Sequence, residues 1–101
     1  IAGAVLAGAP EVQAALEDAT INDDLTYNPL NGSGAEDYPI TAPTFVLVLT
    51  EQSDPAIAES LRTYLRYVLT TGQAQAAKTG YVALPESLAA KAIEQIDQIA
   101  G

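Results

Sequence analysis

The apolar residues of this chain fall into blocks of different period, and each block predicts an element. After Pro10, Val12, Ala15, Leu16 and Ala19 recur at i, i+3, i+4 and i+7 with Glu11 in the first turn, which predicts a short helix over residues 11–19. The pattern then stops. Residues 20–37 are dominated by Asn, Asp, Gly, Ser and Pro, a turn-forming composition with few side chains to bury. A loop of that length inside a compact domain is uncommon, and is often functional or shaped by a neighbour. Pro39 and Pro43 disfavour helix at Tyr38 and Ala42, so residues 38–44 are expected to form an extended connector. Thr44, Phe45, Val46, Leu47, Val48, Leu49 and Thr50 follow as a nearly continuous apolar, β-branched run, the pattern of a strand covered on both faces in an α/β sheet. No second run of equal quality exists in the chain, so the neighbours of this strand are expected to come from elsewhere.

Helical signals fill the remainder. Asp54-Pro55 places a capping side chain before Pro at the first helical position, and Gly72 is expected to supply a left-handed stop. Between them Ile57, Leu61, Tyr64, Leu65, Val68 and Leu69 lie on one stripe, with Glu59, Arg62, Thr63, Arg66 and Thr70 opposite. Residues 73–79 predict a short Ala-rich helix closed by Gly80. Pro85 opens a last helix whose Leu88, Ala92, Ile96 and Ile99 keep the helical spacing.

Composition narrows the chemistry. The chain has 101 residues and a net charge of −9, with neither His nor Cys. That removes an imidazole base, a thiolate nucleophile and the usual nitrogen- and sulfur-ligated zinc site, and leaves no disulfide framework. Only Arg62, Arg66, Lys78 and Lys91 are cationic. Phosphate backbones need clustered Lys and Arg, so nucleic acid is not an expected partner, and an anionic membrane surface is disfavoured for the same reason. The apolar start, residues 1–9, lacks the cationic flank of a signal peptide and is far shorter than the ~20 residues that span a bilayer, so it is read as a helix start. Nineteen alanines inflate the apolar share while burying little area each. Large core side chains are sparse, and the chain by itself is expected to be marginal in stability or to self-associate.

Several motifs in register resemble one family. Tyr38-Pro39-Ile40-Thr41, then Pro43-Thr44-Phe45 with its apolar run, then Glu51-Gln52, then Gly72-Gln73 at a helix end and Gly80-Tyr81-Val82-Ala83-Leu84-Pro85 are similar to the closing third of the periplasmic phosphate-binding proteins of phosphate ABC transporters. The resemblance covers roughly residues 22–99 and implies a C-terminal portion of a two-lobed α/β fold: a hinge crossing, one buried strand and two or three amphipathic helices. It divides the chain into residues 1–37, ending a second-lobe segment; a hinge of Tyr38, Pro39, Ile40, Thr41, Ala42, Pro43 and Thr44; and residues 45–101, completing the first lobe. The implied function is delivery of inorganic phosphate to a membrane permease from an extracytoplasmic location, with this stretch supplying scaffold and hinge. The family's Arg followed by Ser-Gly-Thr is not matched by Gly32-Ser33-Gly34, so no phosphate ligand is placed on this chain. No enzymatic activity, cofactor or metal is expected. The alternative is an acidic stand-alone α/β interaction module with no small-molecule ligand.

Other candidate sites have plainer explanations. Asn22, Asp23, Asp24, Asn28, Asn31, Glu36 and Asp37 are oxygen donors of the kind calcium takes, but they lack the EF-hand spacing and read as turn residues. Arg62 and Arg66 stand one helical turn apart, as an anion pair would, yet Glu59 precedes Arg62 by three residues and predicts a paired polar face. Glu36 with Asp37, and Glu51 with Asp54, are the available carboxylate pairs for glycosidase-type chemistry, and nothing in the sequence raises the pKa of any of them. Tyr64 and Tyr67, three residues apart, have the spacing to stack on a ligand; Tyr64 is expected in the core and Tyr67 at its margin.

Overall fold

The computed structural model describes residues 4–101, so the first three residues of the apolar start lie outside the described residues. Its helices are α1 (Ala9–Asp18), α2 (Pro55–Leu69), α3 (Gly72–Lys78) and α4 (Glu86–Ile96). In α1, Gly8 is the extended N-cap and Pro10 falls in the first turn, where its missing N–H leaves no helical bond unmade. Ala15 and Leu16 form its buried face.

The start of α2 follows the sequence signal closely. Asp54 has an extended backbone, its Oδ1 accepts the Ala56 N–H at 2.8 Å, and Pro55 fills the first helical position. Its end differs from expectation. Thr70 closes the helix, with its hydroxyl donating to the Arg66 carbonyl at 2.6 Å and its N–H to Tyr67 O at 3.3 Å. Gly72 is no left-handed stop but the first residue of α3, where a Cβ would come within 3.0 Å of the Tyr67 carbonyl oxygen. The left-handed residue is Gly80, at φ +91°, just beyond α3. In α4, Leu88 and Ile96 are buried, and Ile99 just past its end is buried with them, as the spacing predicts.

The core of the C-terminal half is Ala58, Ile96 and Ile99, with Val48, Leu65 and Leu69 packed against it. α2 packs on α4 and on α3. The line of α2 that turns inward is Ala58, Arg62, Leu65 and Leu69, at i, i+4, i+7 and i+11. Ile57 and Tyr64 therefore stand at 49% and 64% exposure, on a flank of the apolar stripe that no element covers. Tyr64 is not a core residue.

The expected α/β class does not hold. Among the described residues there is no β-strand and no sheet; the fold is helical. The run over residues 44–50 passes without helix, turn or ladder, and Phe45, Val46, Leu47 and Leu49 are exposed, Leu47 at 95%. The physical reason is the shortage of a partner: a strand is stabilised by cross-strand pairs, and no other segment here supplies a row to pair with. The pairing that does form is one parallel bridge at the end of the run, Glu51 with Ala100. Ala100 N–H donates to Thr50 O at 2.8 Å and Gln52 N–H donates to Ala100 O at 2.7 Å. The chain is elongated, 52 × 28 × 17 Å with a radius of gyration of 15.3 Å. A compact domain of this length has a radius near ~13 Å.

Candidate functional site

The connector is built on the polar loop before it. Within that loop the side chains are spent on turns. Asp24 Oδ1 accepts both the N–H of Thr26 at 3.0 Å and its hydroxyl at 2.6 Å, and Asn22 Nδ2 donates to Thr26 Oγ1 at 3.0 Å. The Thr26 hydroxyl and N–H hold the Asp24 carboxyl below its usual range. Asn28 Oδ1 accepts the Leu30 N–H at 3.0 Å. Leu25 and Asn31 take positive φ, 68° and 50°, to close these turns. Asp37 is almost fully buried, and its Oδ2 accepts the Gly34 N–H at 3.1 Å. A Cβ at Gly32 would run into the Asp37 carboxylate, and one at Gly34 into both Asp37 and Asp18, which is why Gly32-Ser33-Gly34 carries glycine at these places.

From there the connector is pinned. Tyr38 N–H donates to Glu11 O of α1 at 3.1 Å, Pro39 O accepts the Asn31 N–H at 2.8 Å, and the buried Thr41 hydroxyl donates to Tyr38 O at 2.8 Å. Ile40 points away at 73% exposure. Beyond Thr41 the character changes: Ala42 and Thr44 are exposed, Pro43 is half-buried, and the chain runs on to Val48, which joins the C-terminal core. Phe45 lies edge-on to Tyr27, centroids 5.6 Å apart. Tyr38, Pro39, Ile40 and Thr41 thus form an anchor on α1 and its loop, whereas Ala42, Pro43 and Thr44 begin a strap toward the other half. Two side chains also bridge the halves, Gln13 Nε2 to Ala83 O at 3.2 Å and Gln95 Nε2 to Asp23 O at 2.6 Å.

An open cleft of about 490 Å³ lies between the C-terminal end of α1 and the polar loop, lined among others by Asp18, Thr20, Asn22, Thr26, Tyr27 and Asn28. Burial pushes the Tyr27 phenol above its usual pKa. The cleft offers hydroxyl and amide groups, yet a helix C-terminus and Asp18 make it unfavourable for an anion. The sequence named Asn22 and Asn28 as oxygen donors but not the cleft, because its lining joins the end of α1 to loop residues scattered as far as Gly32, with no spacing of their own. A shallower apolar depression on α2 is lined by Ala56, Ile57, Ser60, Leu61 and Tyr64.

The remaining candidates are occupied by local structure. Arg62 donates to Glu59 at 2.7 Å and to the carbonyl of Ile99, lying half-buried on the inward line of α2 and not on the exposed face expected for it. Arg66 pairs with Asp97 at the end of α4. The two guanidinium groups are thus engaged separately, each binding the end of α4 or its following turn to α2. Asp54 caps α2, Glu51 sits in the bridge, and Glu36 is exposed beside the buried Asp37, so neither acidic pair faces a common cleft. Among the described residues no group of three or more His, Cys, Asp or Glu gathers as a metal site. Nor does any helix among them have the length and apolarity to cross a membrane.

Comparison with protein-family models, with curated proteins and with solved structures finds no match to this chain.

Proposed function

We propose that this chain is a scaffold and hinge portion of an extracytoplasmic phosphate-binding protein that delivers inorganic phosphate to an ABC permease, and that the phosphate ligands lie outside it. The motifs from Tyr38-Pro39-Ile40-Thr41 to Gly80-Tyr81-Val82-Ala83-Leu84-Pro85 support the reading by resemblance. The observation that carries it physically is the strap: anchored on α1 and its loop through Tyr38 and Thr41, and in the C-terminal core through Val48, it runs between with its side chains largely exposed. Such a segment, fixed at its ends and stiffened by Pro43, suits a crossing between two bodies that move relative to one another. Neither the arginine pair nor the polar cleft among the described residues favours phosphate. Arg62 and Arg66 are engaged by Glu59, Asp97 and a carbonyl, and the polar cleft sits at the negative end of α1.

Isothermal titration with phosphate tests the reading on two proteins, the 101-residue chain and the full product of the gene that encodes it. The expected outcome is no saturable heat for the chain and micromolar or tighter binding by the full product. Failure of the full product to bind phosphate overturns the assignment, and tight binding by the chain alone overturns the claim that its ligands lie elsewhere.

A further inference from the structure

The surface most out of keeping with a folded monomer is the run from Thr44 to Thr50. It exposes Phe45 at 50%, Val46 at 66%, Leu47 at 95% and Leu49 at 76%, and no backbone N–H from Thr44 to Leu49 finds a partner within the described residues. A chain of 10.5 kDa exposes 6906 Å² here. A globular monomer of that mass exposes about 5,400 Å². The surplus, about 1,500 Å² over the whole elongated molecule, exceeds the ~800 Å² that each partner contributes to a standard stable interface, and the run supplies four of its exposed apolar side chains within five residues.

Charge decides which partner fits. The chain carries −9 overall, yet no residue from Tyr38 to Thr50 is ionised at neutral pH. A basic partner would find no acid on this run to pair with. A second copy meets no like charge there, because two identical uncharged runs can face each other while the acids stay at a distance. A two-fold contact is also self-complementary: residue i meets j and j meets i, which sets two edge segments side by side and antiparallel. Centred on Leu47, that register opposes Leu47 to Leu47, Val46 to Val48 and Phe45 to Leu49.

We propose that the chain by itself forms a two-fold homodimer in which the segments Phe45 to Leu49 of two copies lie antiparallel and satisfy each other's backbone groups. The proposal concerns the isolated chain and does not rest on the phosphate reading.

Sedimentation equilibrium from about 5 to 500 µM protein reads the association directly. The expected result is a monomer–dimer equilibrium that tightens as salt rises, because screening weakens the repulsion between two acidic copies. Leu47→Lys, at a position exposed enough to leave the helical circular dichroism unchanged, is expected to weaken dimerisation roughly tenfold or more. Leu6→Lys, at an apolar site off the run that is 76% exposed, is expected to leave it unchanged. A chain that stays monomeric over the whole range overturns the proposal, as does a dimer indifferent to Leu47→Lys, one equally sensitive to Leu6→Lys, or unlimited growth beyond the dimer.

Discussion

At the scale of single residues, a few side chains hold positions that other residues would fill only at a cost in stability. Asp54 is the clearest case: its carboxylate satisfies the Ala56 N–H at the start of the one helix that touches both α3 and α4. Asp54→Ala is expected to destabilise the chain by about 1 kcal/mol in thermal or urea unfolding, and Asp54→Asn by much less. Ala58 has no exposed surface and meets Ile96 and Ile99. Ala58→Leu is expected to cost about 1–3 kcal/mol by overpacking in the same assay, whereas Ala74→Leu on the exposed face of α3 changes little. The depressed Asp24 carboxyl has a definite pH consequence. A folded-state pKa below the ordinary 3.8 means that its stabilising bonds are intact above that value and are lost as pH falls through the lower, folded-state pKa. A carboxyl NMR titration should place Asp24 below 3.8 in this chain and return it toward 3.8 in Thr26→Val.

At the scale of elements, the sequence signals that depend on a residue's immediate neighbours were legible, and those that depend on a distant partner were not. The Asp54-Pro55 start, the stop at Gly80 and the Leu88, Ile96 and Ile99 spacing all appear where the sequence places them, because caps and helical periodicity are local. Gly72 misled, since a glycine can mark close approach to a carbonyl as well as a left-handed turn. Periodicity also located the apolar stripe of α2 without saying which flank would be covered, so Tyr64 emerged exposed and Ala58, too small to stand out, emerged as the most buried residue of the helix. The run from Thr44 to Thr50 shows the limit most plainly. An apolar, β-branched composition states what a segment would do beside a neighbour, and the pairing available within the chain ends at Glu51 and Ala100. That residues 38–44 form a non-helical connector was readable from its prolines. Its bonds to Glu11 and Asn31 were not, being made through backbone groups that every residue carries.

At the scale of the whole molecule, two small packed regions are joined by one strap and a few side-chain bonds, and neither closes over its apolar surface. The C-terminal region rests on α2 against α4, reinforced where Arg62 reaches the Ile99 carbonyl and Arg66 meets Asp97. Arg62→Gln is expected to lower the midpoint of thermal unfolding more than Arg66→Gln, because Arg62 is the more buried of the two and its loss leaves a carbonyl beside the core without its donor. The molecule is elongated and carries surplus surface and an uncharged exposed run. The central claim, that the run from Phe45 to Leu49 is unpaired within this chain, is tested most directly by amide hydrogen exchange at a concentration low enough to keep the chain monomeric. The account predicts that those amides exchange nearly as fast as an unstructured peptide while Ala58, Leu65 and Leu69 in α2 are protected. Protection of Phe45 to Leu49 equal to that of α2 would contradict it.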